Sequence, residues 1–152
     1  MIPDLKARVE EIGVFYEASG LTPVESRLFA YLLLSDPPEV DFYTIQEFMG
    51  DSKSTISNAL NRLMTEGRID YITRPGDRRR YFRINSRQWL ARIQSRLLNV
   101  TPLAGMLDRV LELRQTTNTP DFNAELQHIR RYFAHLEQEL PRVVHKWEQQ
   151  QD

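Results

Sequence analysis

Ser52, Ser54, Thr55, Ser57, Asn58 and Asn61 crowd into one stretch, GDSKSTISNALNRLMTEG at positions 50–67. Short hydroxyl and amide side chains are poor helix formers because they compete for backbone hydrogen bonds. The apolar spacing around them is nevertheless helical. A helix that only had to be soluble would carry Glu, Lys and Gln on that face. Short groups that both donate and accept can instead meet base edges in a major groove, and an Asn can bond adenine N6 and N7 in bidentate fashion. Asn58 and Asn61, three apart on one side, are the base-reading candidates, with Ser54 and Ser57 completing the surface. Ser52, Lys53 and Thr55 sit at the helix start, where backbone N–H groups and the helix dipole favour phosphates, and Arg62 is a further phosphate candidate.

A second constellation follows in RPGDRRRYF, positions 74–82. Pro75-Gly76 is a type II turn signal, and the flanking residues change to a period of two. Ile69, Tyr71 and Thr73 alternate on one side and Phe82 and Ile84 return the pattern, which predicts a two-stranded hairpin. Its tip carries Arg74, Arg78, Arg79 and Arg80. Arg78 and Arg79 are candidates for a minor groove, where narrow A·T tracts concentrate negative potential. Arg74 and Arg80 are assigned equally to phosphate or structural contacts. Arg80 and Arg83 could pair with Asp70 or Asp77.

Other elements must hold these two groups together. An amphipathic helix is expected from Asp4 to Ser19, with Leu5, Val9, Ile12 and Tyr16 inward. The next opens at Thr22-Pro23-Val24-Glu25, a capping box with Pro at the first helical position, and runs through an almost wholly apolar stretch to Asp36-Pro37-Pro38. A short extended piece over 40–42 leads into a two-turn helix ending at Gly50. The helix capped by Ser52 follows, burying Ile56, Leu60 and Leu63 and ending at Gly67. Helix, glycine turn and a second helix with a polar outer face is a helix-turn-helix layout. After the hairpin, Ser86 is expected to cap a helix to about Asn99, and Thr101-Pro102 to start another to about Arg114. QTTNTP reads as a linker. From Phe122 to Trp147 apolar residues recur at 4-3 spacing through Leu126, Ile129, Phe133, Leu136, Leu140 and Val143, a heptad seam, which Pro141 should kink or break near 137–140.

The net charge is −1, but it is unevenly spread. Residues 1–50 hold 3 basic and 9 acidic groups, residues 51–87 hold 9 and 4, and the remainder cancel at 8 and 8. The resulting −6 and +5 segments make a local cationic patch, the footprint expected of a polyanion partner. Without cysteine there is no thiolate chemistry or disulfide. The chain lacks an apolar run long enough to span a membrane and a signal-peptide pattern, so a cytoplasmic location is expected, with no membrane partner. No nucleotide-binding glycine loop, HExxH or nucleophile elbow is present; neither catalysis nor a cofactor is expected. His128 and His135 are seven apart, two helical turns, too far for one metal ion. Trp89, Tyr132, Phe133 and Trp147 fit a core better than a cage for a cation.

Assembled, the order of elements is that of a winged helix: mainly α with a small β-hairpin wing, followed by a helical region. Residues 1–85 resemble the GbsR-type branch of the MarR family of transcription regulators, most tellingly in GLTPVESRLFAYLLLSD, DSKSTISNALNRL and RPGDRRRYF. The resemblance implies a homodimer that binds a pseudo-palindromic operator in double-stranded DNA, usually as a repressor, with a dimerisation region built from both chain ends. Some relatives respond to small ligands, which leaves room for a small-molecule effector. The expected organisation is an N-terminal helix over 1–20 that contributes to dimerisation, a DNA-binding winged helix over 21–86 and a helical dimerisation region over 87–152. The heptad seam fits packing between chains better than within one. A winged helix serving protein–protein contact is the alternative; it would need an apolar patch where this chain shows polar groups.

Overall fold

The structure is a computed structural model that describes residues 2–99 and 102–151. It divides into two compact units, Met1–Leu90 and Ala91–Asp152.

In the first unit α1 (Leu5–Glu17) packs along α2 (Pro23–Leu34). The Thr22 side chain accepts from the Glu25 backbone and the Glu25 carboxylate from the Thr22 backbone, so the capping box forms as the sequence dictates. α1 approaches closely at Gly13, where a Cβ would lie 2.9 Å from the Arg27 side chain. Arg27 bridges back to Glu10 and Glu17 on α1. Leu28, Phe29 and Leu32 of α2 are buried, and Phe29 meets the rings of Tyr16 and Trp89 edge-on, at 4.8 and 5.2 Å. α2 is the central core helix.

β1 (Val40–Asp41) leads directly into α3 (Phe42–Met49), whose N-terminus Asp41 caps by accepting from Tyr43 and Thr44. Gly50, at φ +73°, makes the turn into α4 (Lys53–Thr65). β2 (Ile69–Thr73) and β3 (Arg80–Ile84) form the hairpin, and Gly76 at φ +78° with the Asp77 N–H donating to the Arg74 carbonyl closes its type II turn. The wing differs from the expected two-stranded ribbon. β1 pairs antiparallel with the far edge of β3, Val40 opposite Phe82, giving a three-stranded sheet in the order β1-β3-β2.

Helix α5 (Ser86–Leu98) begins one residue earlier than expected. Its cap is Asn85, whose Oδ1 accepts from the Gln88 N–H; Ser86 is already helical. In the second unit α6 (Pro102–Leu113) and α7 (Pro120–Gln149) form an antiparallel pair. The expected cap at Thr101 lies outside the described residues. The segment read as a linker is a tight corner: Arg114 donates to Asn123 and Thr119, both at 2.7 Å.

Pro141, expected to kink or break α7, leaves the helix unbroken over its 30 residues; the one hydrogen bond that proline removes is outweighed by the turns on either side. Along the heptad seam Phe122, Ile129, Val143 and Trp147 stay exposed in the single chain, and beside them Val144 is buried. No helix among the described residues is long and apolar enough to cross a membrane.

Candidate nucleic-acid interface

Helix α4 divides its residues as the spacing predicts. Ile56, Ala59, Leu60 and Leu63 are buried, and Ser54, Asn58, Asn61, Arg62 and Thr65 are exposed. Ser52 is the N-cap: its Oγ accepts from the Thr55 N–H at 3.1 Å and exchanges hydrogen bonds with the Ser54 and Thr55 hydroxyls. Thr65 turns its hydroxyl back onto the Asn61 carbonyl. The side-chain amides of Asn58 and Asn61 have no hydrogen-bond partner among the described residues, so both keep their full donor and acceptor capacity. α4 is fixed to the core at its far end. Arg62 lies 3.7 Å from the buried Glu25 carboxylate and 3.5 Å from Glu66.

The wing arginines are sorted by their neighbours. Arg79 makes a bidentate pair with Asp77, whose Oδ2 also accepts from the Tyr81 hydroxyl at 2.7 Å, and it lies 3.7 Å from Asp41. Arg79 first, and then Tyr81, hold the Asp77 carboxyl well below the usual carboxylate range. Arg74 bonds Glu39 at 2.9 Å and stacks on the Tyr81 ring. Arg83 pairs with Asp70, the partnership the sequence allowed. Arg80 has no carboxylate partner among the described residues and lies over the Tyr71 ring, 4.7 Å from its centroid. Arg78 is exposed without an ion-pair partner among the described residues, as is Lys53.

α4 and the wing face each other across a cleft of about 510 Å³, lined by Lys53, Ser57 and Asn61 on one side and Arg78, Arg79 and Arg80 on the other. The cations in that cleft without a carboxylate partner among the described residues are therefore Lys53, Arg78 and Arg80. Tyr43, 65 % exposed at the start of α3, joins the rim. Sequence reasoning did not single it out, because an aromatic in a short helix reads first as core. Tyr81 was missed for a related reason. It is buried on the face of β3 opposite Phe82, where the guanidiniums of Arg74 and Arg79 lie over its ring.

No group of three His, Asp or Glu residues poised to hold a metal occurs among the described residues. The histidines stay on α7, with His145 beside Glu148 and Gln149.

Known proteins resemble the chain along nearly its whole length. A model of the MarR family matches residues 19–80, and a model of MmpR5-like MarR family transcriptional regulators matches residues 88–150. The second match falls on the helices in which the sequence by itself offers no motif. The HTH-type transcriptional regulator MmpR5 of Mycobacterium tuberculosis is 26% identical over 148 residues, covering 97% of this chain and 88% of the relative. A crystal structure of a transcriptional regulator superposes with a TM-score of 0.69 at 26% identity, covering 97% of this chain and 99% of that one.

Proposed function

We propose that this MarR-family winged-helix transcriptional regulator acts as a homodimeric repressor on a pseudo-palindromic operator. In this reading α4 enters the major groove and the wing tip reaches the neighbouring minor groove. The observation that carries it is the pair of unpartnered amides, Asn58 and Asn61, exposed on α4, with Asn61 lining the cleft shared with Arg78 and Arg80, which have no carboxylate partner among the described residues. An amide left free in the unbound protein loses no internal hydrogen bond on meeting a base edge. Arg79 is a reserve charge: reaching a phosphate requires it to leave Asp77, so its net contribution is smaller than that of Arg78. Arg62, paired with Glu25 and Glu66, chiefly orients α4.

The dimer reading rests on apolar surface. Phe122, Ile129, Val143 and Trp147 fall within about 60° on α7, and all four are exposed. Among the described residues of the second unit only Ala104 and Val144 are fully buried apolar groups. So thin a core needs a partner, and two reading heads about one helical turn apart need a structure to hold them. Within the family, the matches name MmpR5-like regulators, over residues 88–150 for the family model and over 148 residues for the relative, and do not support the GbsR-type branch.

The test is selection of bound duplexes from a random pool, followed by salt titration. An inverted repeat with half-sites about one turn apart is expected. With about 8 phosphates neutralised per dimer, log K should fall against log salt with a slope near −7. Enrichment of no sequence, or an affinity indifferent to salt, overturns the reading.

A further inference from the structure

β3 has a second face. Opposite the DNA-side cleft, the start of α1, the end of α2 and β1 enclose a cavity of about 400 Å³, within the size range of small-molecule sites. Leu5, Leu34, Pro37 and Val40 make its walls apolar, and three carboxylates line it: Asp36, Glu39 and Asp41. Asp41 is engaged in capping α3. Asp36 has no partner among the described residues. The one cation among the described lining residues is Arg74, and its position is informative. Its guanidinium lies 3.9 Å from the centroid of the Tyr81 ring and donates to Glu39 at 2.9 Å. A planar cation of the chain itself thus occupies an aromatic face closed by a carboxylate, the arrangement that attracts organic cations.

We propose that this cavity binds a lipophilic organic cation, aromatic or quaternary, which takes the place of Arg74 on Tyr81 and Glu39. The apolar walls receive the body of the ligand; Glu39 also lies 3.7 Å from Arg83 and Asp41 3.7 Å from Arg79, so Asp36 and the face of Glu39 that Arg74 vacates select its charge. Arg74 supplies the carbonyl that closes the wing turn, and Tyr81 donates to the Asp77 that holds Arg79. Displacing Arg74 therefore loosens the wing tip and weakens duplex binding. This second step rests on the DNA-binding reading; occupation of the cavity does not.

The probe is tetraphenylphosphonium, compared with tetraphenylborate, an anion of the same shape. Both are titrated into the isotopically labelled full-length protein and followed by amide NMR. The phosphonium should shift Leu34, Val40 and Tyr81, and the borate should leave them in place. The Asp36→Asn, Glu39→Gln double variant, with its fold checked by circular dichroism, should bind the phosphonium at least about tenfold more weakly, the loss of attraction to a nearby carboxylate. Leu5→Trp, which fills the cavity and keeps both carboxylates, should weaken binding as well. Equal shifts by the borate at these residues, or undiminished binding by both variants, overturn the site. Saturating phosphonium should lower the affinity for a selected duplex by about tenfold, a usual allosteric coupling. An unchanged affinity refutes the link to the wing while leaving the site intact. If no duplex is selected, the DNA reading has failed and the NMR titration still decides the cavity.

Discussion

The two units of this chain solve the problem of apolar burial differently. In the first, α2 is buried nearly all round, and Leu28, Phe29, Ile45, Ile56 and Leu63 have no solvent exposure. In the second, α6 and α7 cover one stripe of each other and leave Met106, Leu113, Ile129 and Trp147 open. A three-stranded sheet and four helices can close around a core, whereas two antiparallel helices have too much surface for their volume. The contrast separates duties. The first unit has a core of its own, which in the proposed reading holds Asn58 and Asn61 at fixed spacing. The helical pair invites association.

The sharpest way to break this contrast is to truncate one residue on each side of it. Phe29→Ala should cost about 3–5 kcal/mol of unfolding free energy, measured by urea denaturation. Trp147→Ala should cost far less in the folded chain and appear instead as weaker self-association by sedimentation. Equal stability losses would mean that the second unit has a core of its own. Asn58→Ala and Asn61→Ala come next. Each should lose about 1–3 kcal/mol of discrimination at its own base position with the melting temperature unchanged. Loss of stability in place of discrimination would make these amides structural. Arg78→Ala should reduce the salt slope by about 1 per wing, and Arg79→Ala should reduce it less, because Asp77 already neutralises that charge.

The smallest expected effects are local. Ser52→Ala removes the cap of α4 and should cost about 1 kcal/mol. The Asp77 carboxyl, followed by NMR, should remain ionised well below the ordinary value near ~3.9. Its folded value is depressed, so its contribution to the wing is present above the unfolded value and fades as pH falls through the lower folded one. Tyr81→Phe removes one of the two side-chain donors and should move that titration upward. No movement would show that the Tyr81 hydroxyl contributes nothing to the wing.

Most of the first unit was legible in the sequence because its signals are local. Thr22 and Glu25 are three residues apart and cap one helix end. Ile56, Leu60 and Leu63 mark a stripe on α4, and Pro75-Gly76 marks its own turn. The misreadings arose where partners are distant or competing. Val40–Asp41 reads as a short extended piece, as found, but its place beside the wing is set only when Tyr81 and Phe82 pair with it. Asn85 wins the cap of α5 over Ser86 because Arg68 and Asp70, far back in the chain, hold it in place. At Pro141 the rule about one residue gave way to cooperativity along a long helix.

By itself the sequence determined the order of elements, the polar face of α4 and the concentration of cations in one segment. All of these follow from periodicity and composition, which need only near neighbours. Tertiary structure decided which of those cations remain free: Arg78, Arg80 and Lys53 stand open, while Arg74 and Arg79 are held by Glu39 and Asp77. Electrostatic pairing depends on distances in space, and one of these two pairs joins residues that only the folded sheet brings together.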